Sequence, residues 1–537
     1  MVRAQSVLTP IRRGMAIAMV ATAGFTSLVA CTPSGSNSSD GASQTWIVPQ
    51  DWDAIDPTRV TATNTGAILL VAEPLVLLTP SGSVTPNLAT QSQPNATTYV
   101  YKLRNDAKFS DGKPVTIDDV KYSFDIHAAK DSTSSLAGNF ADVASIEAKG
   151  GDELVITLNT PDVQFEATVG SVGIVEKAVR ETLGKNPGAP DTQNVGSGPY
   201  TVSQFQPGSE LVLKRNPNYW GKAPSVETLR LKLITDASAR QLAVQSGEVT
   251  GAFEIPASEA KTYAGIDGMK VISGDNPSVM LFNVNTNVAP WNDEHVRKAV
   301  SLAIDRAGIV KSVLAGHGEA LSTPITAQKA ELVMDKDTVN TTFSKLNVPY
   351  DVAAAKAELA KSTVPTGFTA NVVFSDAERA TSGLVGQAIA ESVKPLGITL
   401  NVSSIPDSQY TDAVFFKQTA PASIVDFTTD RANPISLFYY LGSSVNSLAS
   451  GGYTNISGHT NPALDQTLAD YLATPGNDKT AQAKLLGQAL DQFNEQQPYI
   501  PIYNSDYLAV VKAGVNFEDF DGFWWQRRWT DEVTIAK

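Results

Sequence analysis

The chain contains a single cysteine, Cys31. With no second thiol, no disulfide can form within it, so any fold it reaches must be held by buried apolar surface and hydrogen bonds. At 537 residues and 42% hydrophobic composition it has the material for that. One hydrophobic core rarely grows past about 250–300 residues, so at least two domains are expected. The formal charge of −14 argues against nucleic acid as a partner, since no block of lysine and arginine offsets it. After residue 30 the apolar residues come in strand-length or helix-periodic groups, none long enough to cross a bilayer.

Residues 1–30 are different. Arg3, Arg12 and Arg13 form a basic head, and residues 14–30 are alanine-rich and uncharged. That is the layout of a signal peptide, because the apolar run is short for a spanning helix and small residues precede the expected cut. It ends in Leu28-Val29-Ala30-Cys31, which resembles a bacterial lipobox. The resemblance implies that the Cys31 thiol takes a diacylglycerol group, that a peptidase cuts after Ala30, and that the mature chain is extracytoplasmic and anchored to the cell membrane as a lipoprotein. Residues 32–44 are rich in Ser, Gly and Asn, too polar to bury anything, and read as a flexible tether.

The body reads as mixed α/β. Trp46, Ile47 and Val48 start a strand, and residues 99–103, 209–214 and 226–233 are further strands, the last with strict alternation through Leu229, Leu231 and Leu233. Thr116 followed by Asp119 predicts a capping box, with Val120 and Phe124 on one helical face. Residues 238–246 predict a short helix with Leu242 and Ala243 inward. One long helix is expected over residues 292–314, ended by Gly316 and Gly318. Residues 376–393 predict a helix with Leu384, Ala388 and Ile389 inward, leading into a strand through Ile398, Leu400 and Val402. Asn461-Pro462 opens another helix, residues 482–493 form the next, and residues 500–510 are extended.

Catalytic patterns are missing. There is no phosphate-binding G-x-x-x-x-G-K-[ST] loop, no G-x-G-x-x-G after a strand, and no H-E-x-x-H zinc pattern. His127, His295, His317 and His459 are far apart and read as single surface or cap residues. Asp51, Asp53 and Asp56 lack the glycine and distal glutamate of a calcium loop and read as a solvated turn. An acidic pair that hydrolyses peptides is the enzymatic alternative. The aromatic cluster Phe523, Trp524, Trp525 and Trp529 reads either as core and interface packing or as walls of a ligand chamber.

Several strings, in order, are similar to one family. They are Glu73-Pro74-Leu75 with Pro86-Asn87-Leu88-Ala89; Tyr101-Lys102-Leu103-Arg104 with Lys108-Phe109-Ser110-Asp111-Gly112-Lys113-Pro114-Val115-Thr116; Gly196-Ser197-Gly198-Pro199-Tyr200; and Asn216-Pro217-Asn218-Tyr219-Trp220. Gln245-Ser246-Gly247-Glu248-Val249, the stretch from Val296-Arg297-Lys298 to Asp305-Arg306, Leu396-Gly397-Ile398 and Asn461-Pro462-Ala463-Leu464-Asp465 continue the series. On these the chain resembles the extracytoplasmic solute-binding proteins of ABC importers, family 5, the oligopeptide/dipeptide-binding class. The resemblance implies a two-lobed α/β fold of the periplasmic-binding-protein kind (type II, cluster C-like) with an extra domain. Lobe I would take residues 45–75, 192–280 and 500–537, the extra domain residues 76–191, and lobe II residues 281–499. It implies a monomer without turnover or cofactor, which closes over a short peptide and delivers it to permease subunits served by separate ATPases. Relatives of the class that carry oligosaccharides or metal chelates keep those ligands open as alternatives. Thr428-Thr429-Asp430-Arg431-Ala432-Asn433-Pro434 is similar to the stretch in which the family's aspartate pairs with a peptide amino terminus. Asp430, Arg431 and Trp525 are the expected ligand-binding residues, with Arg431 either touching ligand or neutralising Asp430.

Overall fold

Alternating apolar runs pair into a mixed seven-stranded sheet, ordered Met269–Gly274, Tyr507–Lys512, Gly251–Phe253, Ser43–Val48, Thr228–Leu233, Glu210–Arg215, Tyr200–Gln206. This is a computed structural model, and it describes residues 43–50, 52 and 54–536. Cys31, the leader and tether up to residue 42, Asp51 and Asp53 lie outside the described residues. A second, six-stranded sheet is ordered Gly318–Ala320, Tyr499–Ser505, Ser278–Val284, Ala422–Thr428, Thr369–Ser375, Thr399–Ile405. One of its faces, through Met280, Phe282 and Ile424, packs under the helices Glu294–Ala303 and Ser382–Val393. The other, through Val279, Leu281 and Val425, packs on Pro462–Ala473 and Lys479–Gln496. Among the described residues the chain passes between the two sheets twice, at residues 275–277 and at Asp506. Two lobes on two short crossovers can hinge.

The extra domain is inserted after Ser43–Val48. It is a four-stranded antiparallel sheet, Ala89–Asn95, Thr98–Leu103, Glu153–Leu158 and Val143–Lys149, with the helix Ile117–Ala128 on it. Thr116 and Asp119 close the expected capping box.

The family-like strings turn out to be scaffold, and the structure gives the reasons. Glu73 is completely buried, and its carboxylate takes bonds from Arg528 (2.8 Å), the Tyr219 hydroxyl (2.8 Å) and the Trp220 ring N–H (3.1 Å). One acid thus ties the segment that leads into the extra domain to residues 219–220 and to the C-terminal segment. Burial pushes its pKa up to about 7 against the pull of Arg528 and the other donors. Gly196 and Gly198 pass so close to the helix Ala62–Val71 that a Cβ would come within 2.1 Å and 2.2 Å of the carbonyl oxygens of Val71 and Leu70. Buried Arg297 donates to the carbonyls of Trp291 and Gln496, both at 2.7 Å.

Several local expectations change. The helix expected over residues 292–314 is two, Glu294–Ala303 and Arg306–Val313, because Ile304 is extended and Asp305 caps the second by accepting from the Gly308 N–H at 2.9 Å. Buried Arg306 fills the corner, donating to the Ser301 and Pro501 carbonyls, both at 2.8 Å. Leu242 is 66% exposed, because the helix Ala237–Gln245 buries Arg240 and Val244, one turn apart, instead. Leu384 is 47% exposed. On that helix Gly383 and Gly386 face the sheet, where Phe374 and Val402 already fill the space. Asp56 is not in a solvated turn but fully buried against Arg180, with Asn194 and Thr58 also bonded to it. Burial alone would raise its pKa; Arg180 and these donors hold it below the usual value. The strand begins at Ser43, so Ser43 and Gln44 are sheet rather than tether. The lobe boundaries expected at 280 and 500 fall inside Ser278–Val284 and Tyr499–Ser505, both of which pair within the six-stranded sheet.

Candidate solute-binding site

In the six-stranded sheet, Thr369–Ser375 runs parallel to Thr399–Ile405 and Ala422–Thr428, so their C-terminal ends share one edge. Ligands of open α/β sheets bind outside such an edge. Asp430 stands two residues past Thr428, at that edge. Its carboxylate Oδ1 accepts from the Tyr440 hydroxyl at 2.7 Å, and its backbone carbonyl accepts from Gln526 Nε2 of the C-terminal segment at 2.6 Å. The loop before Pro434 is braced by Thr429, whose N–H donates to the Pro277 carbonyl in the crossover (3.1 Å) and whose hydroxyl accepts from the Arg431 N–H (3.2 Å). Asp430 is left exposed.

Arg431 pairs across the domains. Its Nη1 lies 3.2 Å from Asp162 Oδ2 of the extra domain. Burial works against its charge, but Tyr440, Asp162 and Asp430 around it raise its pKa, so it stays a cation. Neighbouring contacts run the same way: the Val163 N–H donates to the Leu472 carbonyl at 2.9 Å, the Ser436 hydroxyl bonds Gln164, and a Cβ on Gly82 would press within 2.9 Å of Ala432. Since lobe II joins the rest of the chain only through the two crossovers, opening would break all of these.

Of the aromatic cluster, Trp524 and Trp529 are core, stacked on or set edge-on to Phe253. Trp525 is the half-buried one, its ring N–H spent on the Gly522 carbonyl at 2.9 Å. Asp430, Arg431 and Trp525 line one cavity of about 190 Å³. Thr61, Thr65 and Gln526 complete its lobe I wall, and Ser135, Thr168 and Ser171 of the extra domain form the facing one. The three residues expected from the sequence are therefore brought together. The sequence does not single out Asp162 and Gln526, because nothing local marks a residue whose partner, Arg431 or Asp430, comes from another part of the chain. Wider clefts flank the cavity, about 790 Å³ between the extra domain and lobe II and about 670 Å³ at the crossovers.

The histidines stand apart. His127 is buried against Ser134 (2.7 Å), not on the surface; His295 meets Glu358, His317 meets Asp506 and His459 meets Gln496. Among the described residues no helix is long and apolar enough to cross a membrane.

Comparison with known proteins agrees with this geometry. Residues 83–449 match the family described as bacterial extracellular solute-binding proteins, family 5 Middle. The probable D,D-dipeptide-binding periplasmic protein DdpA of Escherichia coli (strain K12) is 27% identical over 422 residues, 78% of each chain. Among solved structures, the periplasmic binding protein DppA of Helicobacter pylori in complex with the peptide STSA superposes with a TM-score of 0.73 at 20% identity, covering 92% of this chain and 98% of that one. HbpA2 of Haemophilus parasuis gives 0.78 at 20% identity, over 92% and 100%. The chain therefore belongs to family 5 of the bacterial extracellular solute-binding proteins, the binding components of ABC importers, and is a binding protein rather than an enzyme.

Proposed function

We propose that this protein captures short peptides between lobe I and lobe II, holds the peptide's α-ammonium on Asp430, and delivers it as a monomer to permease subunits served by separate ATPases. Lobe I is assigned residues 45–75, 192–274 and 507–537, the extra domain residues 76–191, and lobe II residues 278–505. Lipid on Cys31 keeps the loaded protein beside its permease. What carries the reading is the single cavity that gathers Asp430, Arg431 and Trp525 where three parts of the chain meet. Arg431 makes its ion pair with Asp162, while the Asp430 carboxylate accepts from the Tyr440 hydroxyl. A carboxylate facing an ammonium in a closed site makes a charge-assisted hydrogen bond, and removing one partner of such a pair costs roughly 2–5 kcal/mol.

Calorimetry of short peptides against the parent and Asp430→Asn tests the assignment. The variant weakens binding by tens-fold or more without loss of fold, and N-acetylation of the peptide produces a similar loss that does not add to that of the mutation. Equal affinity of parent and variant removes Asp430 from the site.

A further inference from the structure

The cavity is divided by chemistry. Its two charged residues, Asp430 and Arg431, both come from lobe II. The extra-domain wall is neutral, with Ser135, Asn139, Thr168 and Ser171 on it beside Leu136 and Ala167. One of these stands out. Thr168, on the short helix Phe165–Val169, is 2% exposed, and its hydroxyl oxygen has no hydrogen-bond partner. Nearby hydroxyls are satisfied locally: Ser171 donates to the Ala167 carbonyl at 3.1 Å and Thr65 to the Thr61 carbonyl at 2.6 Å. A buried polar group without a partner is uncommon in a folded protein, because its desolvation is uncompensated. A threonine needs one rotation about χ1 to turn its hydroxyl to another side, and Thr168 is among the residues that line the cavity.

We infer that Thr168 is a specificity-determining residue, which bonds a small neutral hydroxyl- or amide-bearing side chain on the ligand's first residue while Asp430 holds the adjoining ammonium. This rests on the peptide reading of the cavity. Size agrees with it. About 190 Å³ is below the range of roughly 300–1,000 Å³ usual for drug-sized ligands, so this end of the site has room for about one side chain. A site built to bond a polar side chain rejects an analogue lacking it, because the protein group is again left unpaired.

The test is calorimetry on the mature protein with the tripeptides Ser-Ala-Ala, Asn-Ala-Ala, Ala-Ala-Ala and Leu-Ala-Ala. The parent prefers the Ser- and Asn-led peptides over the Ala-led one by about fivefold, the size of one neutral hydrogen bond, with the Leu-led peptide as the apolar control. In Thr168→Val the ratio of Ser-led to Ala-led affinity falls to about one, and in Thr168→Ser, which keeps the hydroxyl, the preference returns. A purely structural Thr168 would weaken all four peptides by the same factor; that result, or a parent indifferent to the first side chain, overturns the inference while leaving peptide binding standing. If the parent binds none of the four, the peptide reading of the cavity falls and the inference falls with it.

Discussion

His127 shows how a single buried group sets a pH limit on this fold. It sits in the extra-domain core, stacked on Phe140 with centroids 5.6 Å apart, and burial pulls its pKa down from 6.5 to about 4. Above pH 6.5 the ring is neutral in folded and unfolded chains alike, and its titration contributes nothing. Between 6.5 and 4 the unfolded chain binds a proton that the folded one refuses, so stability falls as pH falls, by roughly 3 kcal/mol in all. Denaturation of His127→Gln by urea at pH 7 and pH 4.5 should show a smaller acid loss than the parent; identical losses would mean that the ring is not held neutral. At this scale the sequence was readable only where chemistry is local or family-like. Asp430 and Arg431 were singled out by a family-like string and Trp525 by its aromatic cluster, and the three line one cavity. Asp162 and Gln526 acquire their contacts from partners brought in by folding, Thr168 its place on the cavity wall, and His127 its burial from the core that closes over it.

Elements were legible in proportion to how far local pattern decides them. Alternation through Leu229, Leu231 and Leu233 and the Thr116 capping box need no distant partner, and both are seen. Phase on short helices is different, because two apolar stripes compete and the facing sheet chooses. Gly383 and Gly386 sit where Phe374 and Val402 leave room for no side chain, so Leu384 turns out to solvent. The corner at Ile304 was hidden because the periodicity of residues 292–303 runs on past it. Asp305 makes the second helix start there. Asp305→Ala should therefore lower stability by about 1 kcal/mol, the usual worth of an N-cap, as read by the midpoint of urea unfolding. No shift in the midpoint would show that Arg306, not the cap, holds the corner.

For the whole molecule, the topology carries most of the function. Two crossovers leave lobe II attached by a hinge, and the Arg431–Asp162 pair, the Val163–Leu472 bond and the Gln526–Asp430 bond join it to its neighbours across the cleft. Binding that bridges the lobes adds to these contacts and favours closure. The proposed lipid anchor concerns the other end of the chain. Cys31→Ser should abolish lipid attachment and slow or prevent the cut after Ala30; mass spectrometry of the mature N-terminus from membranes reads both, and an unmodified mature chain that starts elsewhere would contradict the anchor. The cargo itself is the sharpest question. Mass spectrometry of small molecules released when the purified protein is denatured should find short peptides with a free α-ammonium, enriched for small hydroxyl- or amide-bearing first residues; an uncharged oligosaccharide in their place would contradict peptide capture.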